Sequence, residues 1–234
     1  MEPVPESDEA LEQLSGVAPH LRSLLMSAAT RAAEILPECV GVSVTLYERG
    51  TPFTVTVTPP GMAEVDAVQY LEGGPCVAAA VTQQEQRVSD VLDEEQWQEY
   101  GAAAAHHGVR SSLSLPIVGS EGVSGAMNFY GGTADAFVGR EHELAQMFGV
   151  EVEHAVRNAD LSFLTLAQAR RLPETLQSEV TVAQAVGVFV ARHGCTVGEA
   201  EQRLEQAAGL AGISTERLAA AVVAGVSDRI GGSG

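Results

Sequence analysis

Lysine is absent from this chain. All 13 basic residues are arginine, set against 31 acids, and the formal net charge is −18. So acidic a chain repels phosphate backbones and anionic membrane surfaces at long range, which excludes indiscriminate nucleic-acid or membrane binding. Cysteine is scarce as well. Cys39, Cys76 and Cys195 are odd in number and widely spaced, which argues against a disulfide framework and fits a reducing compartment. Long apolar runs are missing. The longest in the C-terminal third, residues 182–191, is too short to span a bilayer and is interrupted by Gln184. The first residues are acidic and lack an apolar signal-like segment, so a cytoplasmic location is expected.

What is present is unevenly distributed. Residues 1–160 hold 7 arginines against 24 acids, whereas residues 161–234 hold 6 against 7. If nucleic acid is bound anywhere, the near-neutral C-terminal part is the place for it. Apolar residues make up 45% of 234, enough to bury a core in one medium and one small domain.

Periodicity supplies the elements. Leu14, Val17, Leu21, Leu24, Leu25, Ala28, Ala32 and Ile35 follow helical spacing up to Pro37. Residues 40–47 alternate and are rich in β-branched side chains, and 53–57 repeat the pattern, so the two read as a hairpin. A short helix over 63–71 is broken by Gly73-Gly74-Pro75, and Pro75 opens another over 76–82. Arg87-Val88 is a short strand candidate, 94–107 reads as a helix, and 111–118 with 123–130 form a second hairpin. A helix from about Arg140 runs without a breaker after Gly149 to Pro173.

The last third is helical. Segment 176–192 is apolar nearly all round, which predicts burial on more than one side. Gly194 ends it. Thr196-Val197-Gly198-Glu199 has the form of a capping box, and Gly212 closes the helix that follows. Ser214 caps a last helix with Leu218, Ala221 and Val222 facing inward, and residues 227–234 read as frayed.

Three stretches, Gly73-Gly74-Pro75-Cys76, the run from Gly108 to Pro116, and Gly125-Ala126-Met127-Asn128-Phe129-Tyr130, resemble the GAF domains of actinobacterial GAF–ANTAR regulators. Residues 176–225, centred on Val182-Ala183-Gln184-Ala185-Val186-Gly187, resemble an ANTAR domain. The resemblance implies an α+β chain: a sheet of five or six antiparallel strands flanked by helices, then a three-helix RNA-binding domain. It also implies transcription antitermination under the control of a sensed signal. Three positions depart from the ANTAR pattern. Val186 and Glu179 stand where basic residues are usual, and Glu201 replaces an aromatic. The packing pattern is kept and much of the phosphate-facing charge is lost. Without lysine, the chain also lacks the lysine-containing motif of cyclic-nucleotide GAF domains.

The boundaries expected are a tail over 1–10, a GAF-like sensor over 11–160, an ANTAR-like output domain over 161–226 and a tail over 227–234. Candidate residues of the sensor pocket are Cys76, Trp97, Tyr100 and Arg110. Cys76, in the first turn of a helix, is either a thiolate-forming sensor or a small buried packer. Trp97 and Tyr100 either line a ligand pocket or dock their helix. Arg110 either meets an anionic ligand or pairs with one of the many carboxylates. Adjacent His106 and His107 diverge on a helix, so no metal is expected, and no cofactor is implied. For RNA the candidates are Gln184, Gly187, Arg192, Arg203 and Arg217, the alternative being ordinary solvated arginines; Arg170, Arg171, His193 and Arg229 complete the basic set. The long helices 11–36 and 140–170 suggest a homodimer, although both could instead cover their own sheet. The reading is a signal-responsive regulator and not an enzyme, with a protein-interaction module that has lost RNA binding as the alternative.

Overall fold

Alternation of branched apolar and small polar residues builds the sheet. The computed structural model describes residues 27, 30–31, 36–48, 51–118, 124–146 and 179–231. Strands β1 (Cys39–Glu48), β2 (Thr51–Thr58), β3 (Gln86–Val88), β4 (Ser111–Val118) and β5 (Ser124–Gly131) form one antiparallel sheet in the order β2-β1-β5-β4-β3. Val44 pairs with Met127 and Met127 with Leu115, so one face is apolar and buried. Ser43 pairs with Asn128 and Asn128 with Ser114, so the opposite face carries hydroxyls and an amide. Period-two side-chain alternation produces both faces from the same strands.

The polar face is covered by α1 (Met62–Glu72), α2 (Pro75–Thr82) and α3 (Gln98–His106). The helix expected over 94–107 starts only at Gln98. Ahead of it Asp90 accepts from the Leu92 amide at 3.0 Å, and Glu94 accepts from the amides of Gln96 and Trp97 at 2.7 and 3.0 Å. These local side-chain bonds replace the helical ladder with a 3-10 turn over Val91–Asp93 and a bend.

Three further helices follow: α4 (Glu179–His193), α5 (Val197–Ala211) and α6 (Thr215–Gly231). The capping box forms as expected: Glu199 N donates to Thr196 Oγ1 at 3.3 Å, and Thr196 N donates to Glu199 Oε2 at 2.8 Å. Gly212 closes α5 at φ 69°, a backbone conformation that favours glycine. Residues 227–231, read as frayed, continue α6. Segment α4 is less enclosed than its composition suggests. Ala185, Val186 and Phe189 are buried, but Ala183, Gln184, Gly187 and Ala191 face outward, and Val180 is 71% exposed.

The three helices do not close a core of their own. Phe189, Leu204, Ala207 and Leu218 share one cluster with Ala63, Ala67 and Val68 of α1 and Ala103 of α3. Gly225 of α6 lies so close to α3 that an added Cβ would meet Ala102 Cβ at 3.0 Å. The three C-terminal helices are therefore seated on the helices that cover the sheet. Most of the long helices expected over 11–36 and 140–170 lies outside the described residues; of the second, 141–146 are helical. The expected domain boundary at 160/161 lies outside them too. Among the described residues no single helix is long and apolar enough to cross a membrane.

Candidate functional site

The polar sheet face and the helices above it enclose a hydrogen-bonded cluster centred on Asp66, a carboxylate set among Val65, Ala67 and Val68 in α1. Tyr130 and Ser43 donate to its Oδ1 at 2.6 and 2.9 Å, and Thr54 donates to Oδ2 at 3.0 Å. Tyr70 joins Thr45 and Thr54 at 2.9 and 2.7 Å. Asn128 donates to Ser43 Oγ at 2.9 Å, and the Cys76 amide donates to Gln69 Oε1 at 2.8 Å. Among the described residues, Tyr100 Oη, Ser112 Oγ and Asn128 Oδ1 are buried without a well-formed hydrogen bond, the Ser112 hydroxyl lying near enough to Tyr100 to act on it. Unmet donors and acceptors in a buried site are costly, so they mark where a small polar ligand or a conformational change would be rewarded.

Burial raises Asp66 to about 6, against the pull of the hydroxyls of Tyr130, Ser43 and Thr54. A carboxyl raised from 3.8 in the unfolded chain to about 6 in the fold stabilises the fold fully below the lower value. That stabilisation is lost as pH rises through the upper one. Asp66→Asn keeps the shape and removes the charge. Its unfolding free energy should exceed the parent's by about 2–3 kcal/mol near pH 8, with the gap closing near pH 4. Urea denaturation at several pH values checks this, and parallel curves for the two proteins would refute it. Asp90, Glu141 and Glu199 run the other way, since hydrogen bonds hold their carboxyls below the usual range, so their contributions are lost only at lower pH.

The four residues expected in the pocket divide. Cys76 is fully buried at the start of α2, and Tyr100 is fully buried on α3. Burial pushes the Cys76 thiol up to about 12, with Asp66 adding to the effect. Of the two readings left open for Cys76, the burial is that of the small packing residue: desolvation outweighs the helix end. Trp97 is half-buried just before α3 and packs against the cluster that holds Met62, Val65 and Tyr100. Arg110 is outside the pocket, paired with Asp90 at the surface, where its side chain is 41% exposed. His106 and His107 have perpendicular rings 5.5 Å apart, and no group of three potential metal ligands exists among the described residues.

The five candidates for RNA divide as well. Gln184 and Gly187 lie on the open face of α4, where nothing would obstruct a Cβ at Gly187. Arg203 is exposed, with its guanidinium 5.8 Å from the centre of the Phe189 ring. Arg192 and Arg217, expected to face phosphate, face the sensor instead. Arg192 pairs with Glu99, and Arg217 reaches Glu64 at 2.6 and 2.8 Å. His193 meets Glu72 at 2.8 Å. The basic edge of the output helices is thus held by carboxylates of α1 and α3. Val186 is 5% exposed, so the basic residue missing there takes no charge from an outward face. Arg170 and Arg171 lie outside the described residues, as does the side chain of Arg229.

Sequence reasoning missed Asp66 and the acids Glu64, Glu72 and Glu99. For Asp66 a signal existed, a carboxylate flanked directly by Val65, Ala67 and Val68. Glu64, Glu72 and Glu99 look like solvated charge in a one-dimensional reading.

An antiparallel sheet with a helix-covered polar face, joined to three helices, defines a two-part architecture. Residues 18–157 match the GAF domain family and residues 170–223 match the ANTAR domain. The chain belongs to the GAF family, in the GAF–ANTAR arrangement of sensor-regulated RNA-binding proteins. Solved structures similar to it include a type II free methionine-R-sulfoxide reductase from Thermoplasma acidophilum, with 15% identity, a TM-score of 0.46 and coverage of 58% of this chain and 92% of that one. The GAF domain of a two-component sensor histidine kinase from Bacillus halodurans has 15% identity, a TM-score of 0.41 and coverage of 60% and 95%. Escherichia coli SdiA has 13% identity, a TM-score of 0.44 and coverage of 94% and 91%. No curated protein matches the chain at a significant level.

Proposed function

We propose that the chain is a cytoplasmic, homodimeric antitermination regulator in which the sensor controls RNA binding by holding or releasing the output helices. The observation that carries this reading is the seam. Glu64, Glu72 and Glu99 of the sensor occupy Arg217, His193 and Arg192, the side chains that phosphate would otherwise engage. A ligand that fits one arrangement of α1 and α3 better than another shifts the balance between held and released helices by its difference in affinity. The buried cluster around Asp66 reaches both helices through Asp66, Gln69 and Tyr100, which supports the coupling.

The test is hairpin RNA binding across a salt series by the full chain carrying Glu64→Gln/Glu72→Gln/Glu99→Gln, in which Arg217, His193 and Arg192 are released. About three phosphate contacts should weaken affinity about 20- to 40-fold between about 50 and about 200 mM salt. No binding at low salt would sink this reading. It would favour a second one, a protein-interaction module, which the exposed Glu201 and the engaged Arg192 and Arg217 support.

A further inference from the structure

One of the cations that close the seam can lose its charge near neutral pH. At the end of α4, His193 and Arg192 face Glu72 of α1 and Glu99 of α3. His193 Nε2 lies 2.8 Å from Glu72 Oε2, and its ring stacks on Phe189 with centres 4.2 Å apart. Phe189 belongs to the core shared by both halves, so the imidazole is held between that core and the carboxylate. The Glu72 side chain is only 7% exposed, against 37% for His193. A neutral imidazole can keep the bond through its Nε2–H. It then leaves a buried carboxylate without the imidazolium charge, and α4 meets two carboxylates with one cation instead of two.

The charges around His193 favour its protonated form in the closed seam. Glu72 comes from α1 and Glu99 from α3, Arg192 lies beside it on α4, and Arg203 of α5 reaches the Phe189 ring. The carboxylate in contact outweighs the two arginines, because Arg192 is engaged by Glu99 and Arg203 is exposed. Burial pushes the Glu72 carboxyl up, against the pull of His193 and Arg192 and with Glu99 adding to the rise. A carboxyl raised in the fold stabilises it less as pH rises, so both partners of the pair act in the same direction. The other imidazole at the seam, His107, acts differently. Its Nε2 is 2.8 Å from Glu64 Oε2, while Arg217 holds Glu64 Oε1, and His106 is its neighbour on the chain. A proton on His107 sets a second cation beside Arg217 and works against the hold on α6.

We propose that His193 and Glu72 form a proton-dependent clasp: the protonated imidazole draws the end of α4 onto α1, and its deprotonation as pH rises loosens the seam. In the range where an imidazole titrates, closing takes up a proton and opening releases it. The step needs no ligand and no rearrangement of the shared apolar core. The consequence for RNA rests on the control of the output helices proposed above; the clasp does not.

Amide hydrogen exchange of the full chain reads the clasp. Peptides covering residues 186–195 are compared at about pH 5.5 and about pH 8, with labelling times scaled to the intrinsic exchange rate at each pH. Protection there should fall about fivefold or more in the parent as pH rises. It should fall less than about twofold in His193→Gln, which keeps a hydrogen-bonding side chain without the titration. Glu72→Gln removes the carboxylate and should flatten the response in the same way, and it stands in for His193→Gln should that variant not fold. Circular dichroism establishes which variants are folded. His107→Gln should respond at least as steeply as the parent. Asp66, whose titration acts on the whole fold, is common to parent and variants and cancels in the differences. A full response persisting in His193→Gln or Glu72→Gln, an equal flattening in His107→Gln, or equal protection of the parent at both pH values would overturn the clasp. In parallel, hairpin binding by the parent should tighten a few-fold over the same rise in pH. If protection falls as expected and RNA binding does not follow, the control reading fails and the clasp stands.

Discussion

Phe189→Ala should lower the unfolding free energy by about 3–5 kcal/mol, the cost of truncating a buried aromatic and leaving a cavity. Phe189 is 1% exposed, and its ring lies 4.2 Å from that of His193, between centres, with the Arg203 guanidinium above it. The cavity would open in a cluster shared by both halves of the chain, not in a private core of the output helices. The loss should therefore appear in both halves at once. Urea unfolding can be followed by Trp97 emission, which reports the sensor, and by far-ultraviolet circular dichroism, dominated by helices. Coincident transitions in the parent, and a coincident shift of both in the variant, are expected. Helical signal lost at low urea while the Trp97 transition stays in place would show two independent units and dismantle the seam.

That dependence on a shared core explains how far the sequence could be read. Local rules sufficed wherever one segment decides its own fate. Alternation at Val42, Ser43, Val44 and Thr45 marked β1, Pro75 opened α2, and Thr196 with Glu199 made the box that starts α5. The strand pairs 40–47 with 53–57 and 111–118 with 123–130 were legible because hairpins join neighbours. The seam was not, because its partners lie far apart in sequence. Arg217 meets Glu64 across 153 positions, and His193 meets Glu72 across 121. An acidic helix face that binds a distant arginine has the same one-dimensional pattern as a face turned to water. The candidate pocket was partly legible for a related reason. Tyr100 and Cys76 were found from residue type, but the organising group, Asp66, is a carboxylate that folding buries. Its hydroxyl partners lie on three strands, which no local window brings together. The sequence left Cys76 open between thiolate and packer because a helix end is visible in sequence and full desolvation is not.

Glu64→Gln/Glu72→Gln/Glu99→Gln should tighten hairpin RNA binding by about 10- to 100-fold. Each partly exposed pair contributes up to about 1 kcal/mol, and three of them hold the basic edge of the output helices against the sensor. Glutamine keeps the shape and much of the hydrogen bonding, so the apolar part of the seam survives while its electrostatic grip weakens. Two arginines and a histidine then become available to phosphate, and the salt dependence should steepen by about two units of slope. Removing three negative charges anywhere also reduces long-range repulsion of RNA. A control variant away from the seam, Glu85→Gln/Asp93→Asn/Glu143→Gln, measures that general effect. It should tighten binding only a few-fold and leave the slope unchanged. Equal gains in the two variants would mean that net charge alone restrains RNA binding. The acids at the seam would then be ordinary surface pairs, and the sensor would hold the output helices by its apolar contacts with no charge-based control.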